Sequence, residues 1–513
     1  MSKRLFGFFA CSFLVAFIAP IAKAAANHRR VIVIVWDGMR PDFITPELTP
    51  NAWRLASGGV TFANHHPVYL SATEVNGTAI ATGCYPEHST IIANKEFRPA
   101  IDPKTILHME LQEWVRKGDE VSGGHYLAVP TTAEILHGKG ISTVVAGAKG
   151  IALLHDRAIR GADASNITLF AGMSLPDGIA RELISHQGTF PVEYARNPTR
   201  NDWTVQALIE RLWRDDVPAF TLLWMNEPDS SQHKFGLGSP QALAALKNVD
   251  DNLGRVMAAL QGKGILDGTD ILLVSDHGFS TISQRVDIAE SLRKGGFDAA
   301  DKGPQGGKGH IIVVSNGGGC LFYVGDHDAA TIQRLVDYLQ GQDYSGVIFT
   351  RDRMEGSFTL AQGKLDSPFA PDVVLSMAWN SDKNTNGVPG MVASGVYDYG
   401  ELGMHVSLSH YDMHNTLIAG GPDFRKGIVD HLPTGNTDIA PTVLWLLGIK
   451  PPKSMDGRTL SEALDIKAPR LMSYEPRRIE ASRNSGGKVW KQYLMISEVN
   501  GVKYFDEGNS RTE

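Results

Sequence analysis

Two kinds of apolar pattern alternate along the chain. "RRVIVIVWDGMRPD", "AFTLLWMNEPDSSQH" and "DILLVSDHGFS" each contain a continuous apolar run. A strand covered on both faces needs an apolar residue at every position, so these runs predict buried strands. Between the second and third run, Leu246, Val249, Leu253, Val256 and Leu260 recur at helical spacing. Ser239-Pro240 supplies an N-cap and a first-turn proline, and Gly262 and Gly264 close the segment. Thr131 to Glu134 ("TTAE") reads as a capping box that opens another helix, ahead of the strand "STVVAG". Further on, "NTLIAGGP" predicts a strand and "TDIAPTVLWLLG" a helix. "KQYLMISEVNGVKYFDEG" predicts a β-hairpin around Asn500-Gly501. Strand and helix in alternation predict an α/β fold, a largely parallel central sheet sandwiched by helices.

The three apolar runs stop in the same way. Asp37 follows the first, Glu227, Asp229 and His233 the second, and Asp276-His277-Gly278 the third. Just past the carboxyl ends of the strands is where open α/β sheets bind ligands. One aspartate after a strand is commonly a cap or turn residue, and one loop histidine commonly faces solvent. Three strands ending alike point to a shared metal site, because carboxylate and imidazole suit zinc and other first-row divalent ions. Asp229 and His233 are four residues apart, which puts them on one face of a helical turn.

Composition narrows the class. The 42% apolar and 20% charged residues are those of a globular protein, and 513 residues allow a large core with insertions. "MSKRLFGFFACSFLVAFIAPIAKAAAN" has a basic start, an apolar stretch and Ala22-Lys23-Ala24, the pattern of a secretory signal cleaved after Ala24. A periplasmic or secreted location follows as an expectation. Removing Lys3, Arg4 and Lys23 moves the net charge from −7 to −10. An acidic surface does not suit a nucleic-acid polymer. An anionic substrate would need local positive charge, which a metal can supply. No later run approaches the roughly 20 apolar residues of a membrane helix. Cys84 and Cys320 would remain after cleavage. An oxidising compartment permits a bridge between them, but their spacing gives no framework.

"SATEVNGTAIATGCYP" (71–86) holds four hydroxyl residues and no histidine. A Ser or Thr nucleophile usually needs a neighbouring imidazole or amine, and this stretch has none. Together with "VWDG", "HHPVYLSATEVNGTAIATGCYPEHSTIIANKEF", "EPDSSQHKFG", "VSDHGF", "GMHVSLSHYDMHNTLIAGGPDF" and "DIAPTVLWLLGIKPPKSMDGRTL", it resembles the type I phosphodiesterase/nucleotide pyrophosphatase family of the alkaline phosphatase superfamily. The resemblance covers most of residues 31–465. It implies two divalent metal ions, zinc foremost, at the carboxyl edge of the sheet. One would be held by Asp37, Asp276, His277 and the nucleophile, the other by Asp229, His233 and a late histidine. His405, His410 and His414 are the candidates for the last. The family places it in a G-x-H stretch twelve residues before the leucine of the next strand, and counting back from Leu417 gives His405. The resemblance puts the nucleophile at Thr73, activated by a metal ion, with Asn76 holding the phosphate. Ser71, before the turn, and Thr78, inside the helix, are weaker alternatives. The implied reaction is two in-line displacements through a phospho-threonine.

Some features depart from the family. A Phe-Pro pair normally follows the nucleophile and helps stack a nucleobase; here Glu74 and Val75 stand there, which puts nucleotide specificity in question. Residues 281–400 read as an inserted cap region within a catalytic domain spanning 25–470, with 471–513 as the hairpin extension. "AGAKGIALLHDR" (146–157) reads as a surface loop, with Lys149 and His155 as candidate contacts at the entrance. The implied function is a secreted hydrolase of small phosphoesters. A phosphomonoesterase, another phosphoester, phosphonate or sulfate hydrolase of the superfamily, or an inactive metal-bearing binding protein are the alternatives.

Overall fold

The computed structural model describes residues 29–158, 166–192, 197–302, 306–395, 400–466 and 472–513. The expected signal segment, residues 1–24, lies outside them. The predicted strands form as β1 (Arg30–Trp36), β2 (Thr143–Gly147), β3 (Phe220–Met225), β4 (Thr269–Val274) and β5 (Leu417–Gly420). They belong to a nine-stranded sheet in the order 428–430, 60–62, β5, β4, β1, β3, β2, 167–170, 173–175. The β4–β1–β3–β2 centre is parallel, and β5 runs antiparallel to β4.

The continuous apolar runs follow from this placement. Val31, Val33 and Val35 of β1 enter a core on one face, with helix Ile439–Leu446 and Ile151–Leu154. Ile32, Ile34 and Trp36 enter a second core on the other face, with Leu246, Val249, Leu253, Val256 and Leu260. The last five residues lie on the helix Pro240–Gly262, whose N-cap Ser239 accepts from Ala242 N. Burying each such side chain is worth roughly 1.5–3 kcal/mol, so a polar residue would be costly on either face of β1. The capping box also forms, with Thr131 and Glu134 bonded reciprocally at the start of helix Thr132–His137.

Residues 299–377 build a separate six-stranded sheet around helix Ala329–Leu339. Its turn at Gly318 meets the segment that carries the late histidine, the Gly318 N–H donating to His405 O at 2.9 Å. The C-terminal segment has three antiparallel strands, not two: Arg477–Ser485 pairs with the hairpin Lys488–Val499 and Val502–Thr512. This first strand, "RRIEASRNS", is an edge with only two apolar residues, so it carries no strand pattern in sequence. Leu494, Ile496, Tyr504 and Phe505 of the other two pack with Val347 and Phe349 of the six-stranded sheet. Cys84 and Cys320 are both buried and free. None of the helices among the described residues is long and apolar enough to cross a membrane.

Candidate metal centre

Backbone bonds hold the three strand ends together. Asp37 N donates to Met225 O, and Asp229 N donates to Asp37 O. Gly38 N and His277 N both donate to Asp276 Oδ1 at 3.0 Å. Helix α1 (Thr73–Thr82) carries Thr73 as its first residue and ends at Gly83, whose φ of 70° favours glycine. Helix α2 (Asp229–Phe235) puts Asp229 and His233 on one face. All of these side chains converge at the carboxyl edge of β1, β3 and β4.

The three histidines are set in one tautomer by their backbone partners. Nδ1 of His233, His277 and His405 lies 2.9, 2.8 and 2.8 Å from the carbonyls of Gly403, Gly278 and Ser71. A carbonyl only accepts, so each Nδ1 carries the proton and Nε2 presents a lone pair when the ring is neutral. Those Nε2 atoms face carboxylate oxygens: His233 to Asp229 Oδ1 at 3.2 Å, His405 to Asp229 Oδ1 at 3.6 Å, His277 to Asp276 Oδ2 at 3.2 Å and to Asp37 Oδ1 at 3.5 Å. Asp37 Oδ1, Asp229 Oδ1 and Asp276 Oδ2 are buried with no hydrogen-bond donor. Where the ring is neutral, lone pair faces lone pair at this range, and either a proton on Nε2 or a metal ion between the two relieves the repulsion. The ligand atoms of Asp37, Asp276 and His277 lie within 4.8 Å of one another, as do those of Asp229, His277 and His405. The donor set therefore fits divalent ions.

The opposite oxygens are satisfied by protein. Asp37 Oδ2 accepts from Trp224 Nε1 and Lys149 Nζ, both at 2.9 Å, and Asp229 Oδ2 accepts from Lys149 Nζ at 3.0 Å. Burial raises the carboxyl of Asp276 to about 7 and that of Asp37 well above its usual range. Burial alone would lower His233, but Asp229 outweighs it and lifts the imidazole to about 9. Burial and the nearby His277 hold His405 well below its usual value. Burial is the largest cause in each case, and the neighbouring charge decides whether the imidazole rises or falls.

Thr73 Oγ1 lies 3.3 Å from His277 Nε2, and Thr73 is 1% exposed. His405 stacks on His277 with ring centroids 3.6 Å apart. His410 is turned toward Glu507, and His414 Nε2 lies 2.9 Å from Ala63 O, so neither reaches the cluster. Asn76 differs from its expected place. Its Oδ1 accepts from Val68 N and Asn436 Nδ2, and its Nδ2 is directed to the carbonyls of Val68, Leu70 and Ala72. One turn along α1 from Thr73, its amide holds the 68–72 loop instead of a phosphate. Another asparagine, Asn94, lies beside the start of α1, and its Oδ1 accepts from Glu74 N at 3.1 Å.

Residues 146–157 also correct the sequence reading. Ile151 to Asp156 are buried, and Lys149 is part of the site, not a surface loop. His155 packs 5.7 Å from Trp224, and burial lowers its imidazole to about 3. Trp224 and Asn94 lie inside the quoted stretches and Asn436, whose Nδ2 donates to Asp276 O at 2.7 Å, just before one, but nothing in the sequence marks their side chains as part of the site.

Fold and donor set define an α/β protein with a candidate divalent-metal site at the carboxyl edge of its central sheet. The chain belongs to the type I phosphodiesterase/nucleotide pyrophosphatase family, whose profile matches residues 31–386, and it is a phosphoester hydrolase. It is similar to human ectonucleotide pyrophosphatase/phosphodiesterase family member 7, with 22% identity over 84% of this chain and 82% of that protein. It is also similar to mouse bis(5'-adenosyl)-triphosphatase enpp4, with 21% identity over 82% of this chain and 78% of that protein. Against rat family member 1 the match is 26% identical but spans 25% of that longer protein. Among solved structures, murine ectonucleotide pyrophosphatase/phosphodiesterase 5 shares the fold, with a TM-score of 0.59 and 17% identity over 85% of this chain and all of that one. An inactive variant of the same murine protein, in complex with AMP, superposes with the same score.

Proposed function

We propose that the protein hydrolyses small phosphodiesters outside the cytoplasm, through Thr73 and two divalent ions, most simply zinc. The observation that carries this reading is the set of three donor-less carboxylate oxygens facing three imidazole lone pairs beside the Thr73 hydroxyl. Asp37, Asp276, His277 and Thr73 would hold one ion, and Asp229, His233 and His405 the other. When bound, the ions would supply the positive charge that lowers the hydroxyl pKa and offsets charge on the phosphoryl and leaving oxygens.

The chain's own residues do the rest. Thr73 Oγ attacks phosphorus from the first position of α1, where the helix dipole favours developing negative charge. Ser71 O and Gly278 O fix the imidazole rings, so the site needs no rearrangement as charge builds. Asn94 uses its Oδ1 on Glu74 N and keeps its amide N–H groups for a phosphoryl oxygen. Water then cleaves the phospho-threonine from the side the alcohol has left. Glu74 occupies the position where a stacking aromatic is expected and is 6% exposed. Selection among nucleobases is accordingly weak, and simple diesters should be accepted. The N-terminal signal pattern supports a periplasmic or secreted location.

The test compares bis-aryl phosphate, aryl phosphate and aryl sulfate, before and after chelation. The diester should turn over fastest and activity should vanish with the metal. Preferred hydrolysis of the monoester or sulfate would replace the diesterase reading, and no turnover of any of the three in zinc-loaded protein would favour a binding protein.

A further inference from the structure

Lys149 belongs to no sequence motif, yet it stands at the centre of the cluster. Its place is set by the sheet: Ala148 N donates to Trp224 O at 2.9 Å, which prolongs the β2–β3 pairing by one residue. Lys149 follows at once, at the same carboxyl edge as Asp37, Asp229 and Asp276. The backbone then turns tightly, since a Cβ on Gly147 would sit 2.3 Å from Ala152 Cβ. The ammonium lies 2.9 Å from Asp37 Oδ2 and 3.0 Å from Asp229 Oδ2. It thus joins one carboxylate from each group of metal-ligating candidates, and it binds the oxygen of each that faces away from the histidines.

We propose that Lys149 is a built-in counter-cation shared by the two half-sites: it fixes which oxygen of Asp37 and Asp229 faces the metals and keeps the metal-free site folded. The second part rests on charge. Without metal, buried Asp37 and Asp229 share this ammonium as a partner, and an unpaired buried carboxylate is strongly destabilising. With two divalent ions in place the same carboxylates have ample positive charge, and the ammonium matters much less. Lys149 is a positioning residue, and its removal should be felt mainly by the empty protein. Linkage then requires that the two ions together bind the variant more tightly, because what the empty state loses exceeds what the loaded state loses, and a cation shared by both half-sites spreads that gain over both ions.

This inference rests on the metal reading given above only for its first half, the choice of oxygen that faces the metals, and the experiment separates the two. Full-length wild type, Lys149→Met and Lys149→Gln are stripped by chelation, and melting is followed at one scan rate with and without zinc. Both variants should melt lower than wild type by about 5 °C or more when metal-free, and by less than half that shift with zinc. Calorimetric titration with zinc should show two binding events in wild type, both tighter in the variants. Lys149→Gln keeps a hydrogen-bond donor without the charge. If it restores the metal-free melting point to wild type, the ammonium is not a counter-cation. Equal losses with and without zinc, or a change in only one binding event, would also overturn the proposal. A wild type that binds no zinc would refute the metal reading instead, while the metal-free melting comparison still tests Lys149.

Discussion

Gly278 follows His277 and faces the segment 411–414 across the site, and replacing it with alanine tests whether that contact holds His277 in place. A Cβ added there would lie 2.0 Å from Tyr411 O and 2.8 Å from His414 O. Both are backbone atoms, so no flexible side chain can yield. An ordinary contact begins near 3.4 Å, so one segment must retreat by about 1.4 Å, well beyond what packed interiors absorb without strain. The retreat breaks the bonds from Gly278 N to Asp412 O and from Phe279 N to Tyr411 O, both 2.9 Å. Two backbone hydrogen bonds at about 1 kcal/mol each, added to an overpacking cost of about 1–3 kcal/mol, give a loss of about 3–5 kcal/mol. His277 depends on Gly278 O for its ring orientation, and a misplacement near 1 Å costs about 100-fold in rate. Melting, zinc content and diester turnover of Gly278→Ala should all fall. Gly262→Ala is the control: it ends a helix with nothing within 4 Å of its added Cβ, and should leave all three unchanged. A Gly278→Ala protein that melts within 1 °C of wild type and keeps its turnover would show that the strand end is not held as described.

Three further outcomes follow from the same structure. Asn76→Ala should mainly destabilise, by about 2–4 kcal/mol, because it leaves buried loop groups unpaired, whereas Asn94→Ala should fold normally and lose about 100-fold in kcat; reversed results in melting and kinetics would return the phosphate role to Asn76. Burial, reinforced by the neighbouring Asp423 charge, raises the carboxyl of Asp270 to about 7. Its contribution to stability is therefore full below about pH 4 and lost as pH rises through 7, so Asp270→Asn should gain on wild type across that window, and a pH-independent difference in unfolding would contradict this. With Glu74 in place of an aromatic, kcat/KM for aryl esters of the four common nucleotides should agree within about tenfold, less than a stacking contact would separate; a larger spread would reveal stacking from elsewhere.

Much of the site was legible because it follows strand ends. A buried parallel strand announces itself by an unbroken apolar run, and the acids of Asp37, Asp229 and Asp276 mark where it stops. His233 was readable from its four-residue spacing on a helix. His405 was not readable from pattern, since three histidines lie within ten residues; it needed a count from Leu417. The segment 146–157 was misread as a surface loop, although Lys149 was a candidate contact, because a glycine-containing stretch has the look of a loop and only the sheet pairing of Ala148 puts it inside. Trp224 looked like any strand residue, although its indole N–H reaches Asp37. Asn76 shows the converse error: its place beside the nucleophile suggested chemistry, but α1 turns its amide to the 68–72 loop. The edge strand 477–485 carries no apolar alternation, so the C-terminal sheet seemed to be a hairpin.

The central claim is that Thr73 carries the phosphoryl group, and the most direct measurement is covalent. Wild-type enzyme, loaded with zinc and turning over a diester, is quenched in acid, and the peptide containing Thr73 is analysed for phosphate. The account predicts phosphate on Thr73, none in Thr73→Ala, and a rate in that variant below a few per cent of wild type, with the fold intact because the Thr73 hydroxyl caps no backbone group of the helix. A Thr73→Ala enzyme that keeps its rate, with no phosphate trapped in wild type, would mean that water attacks directly and would contradict the two-step reaction.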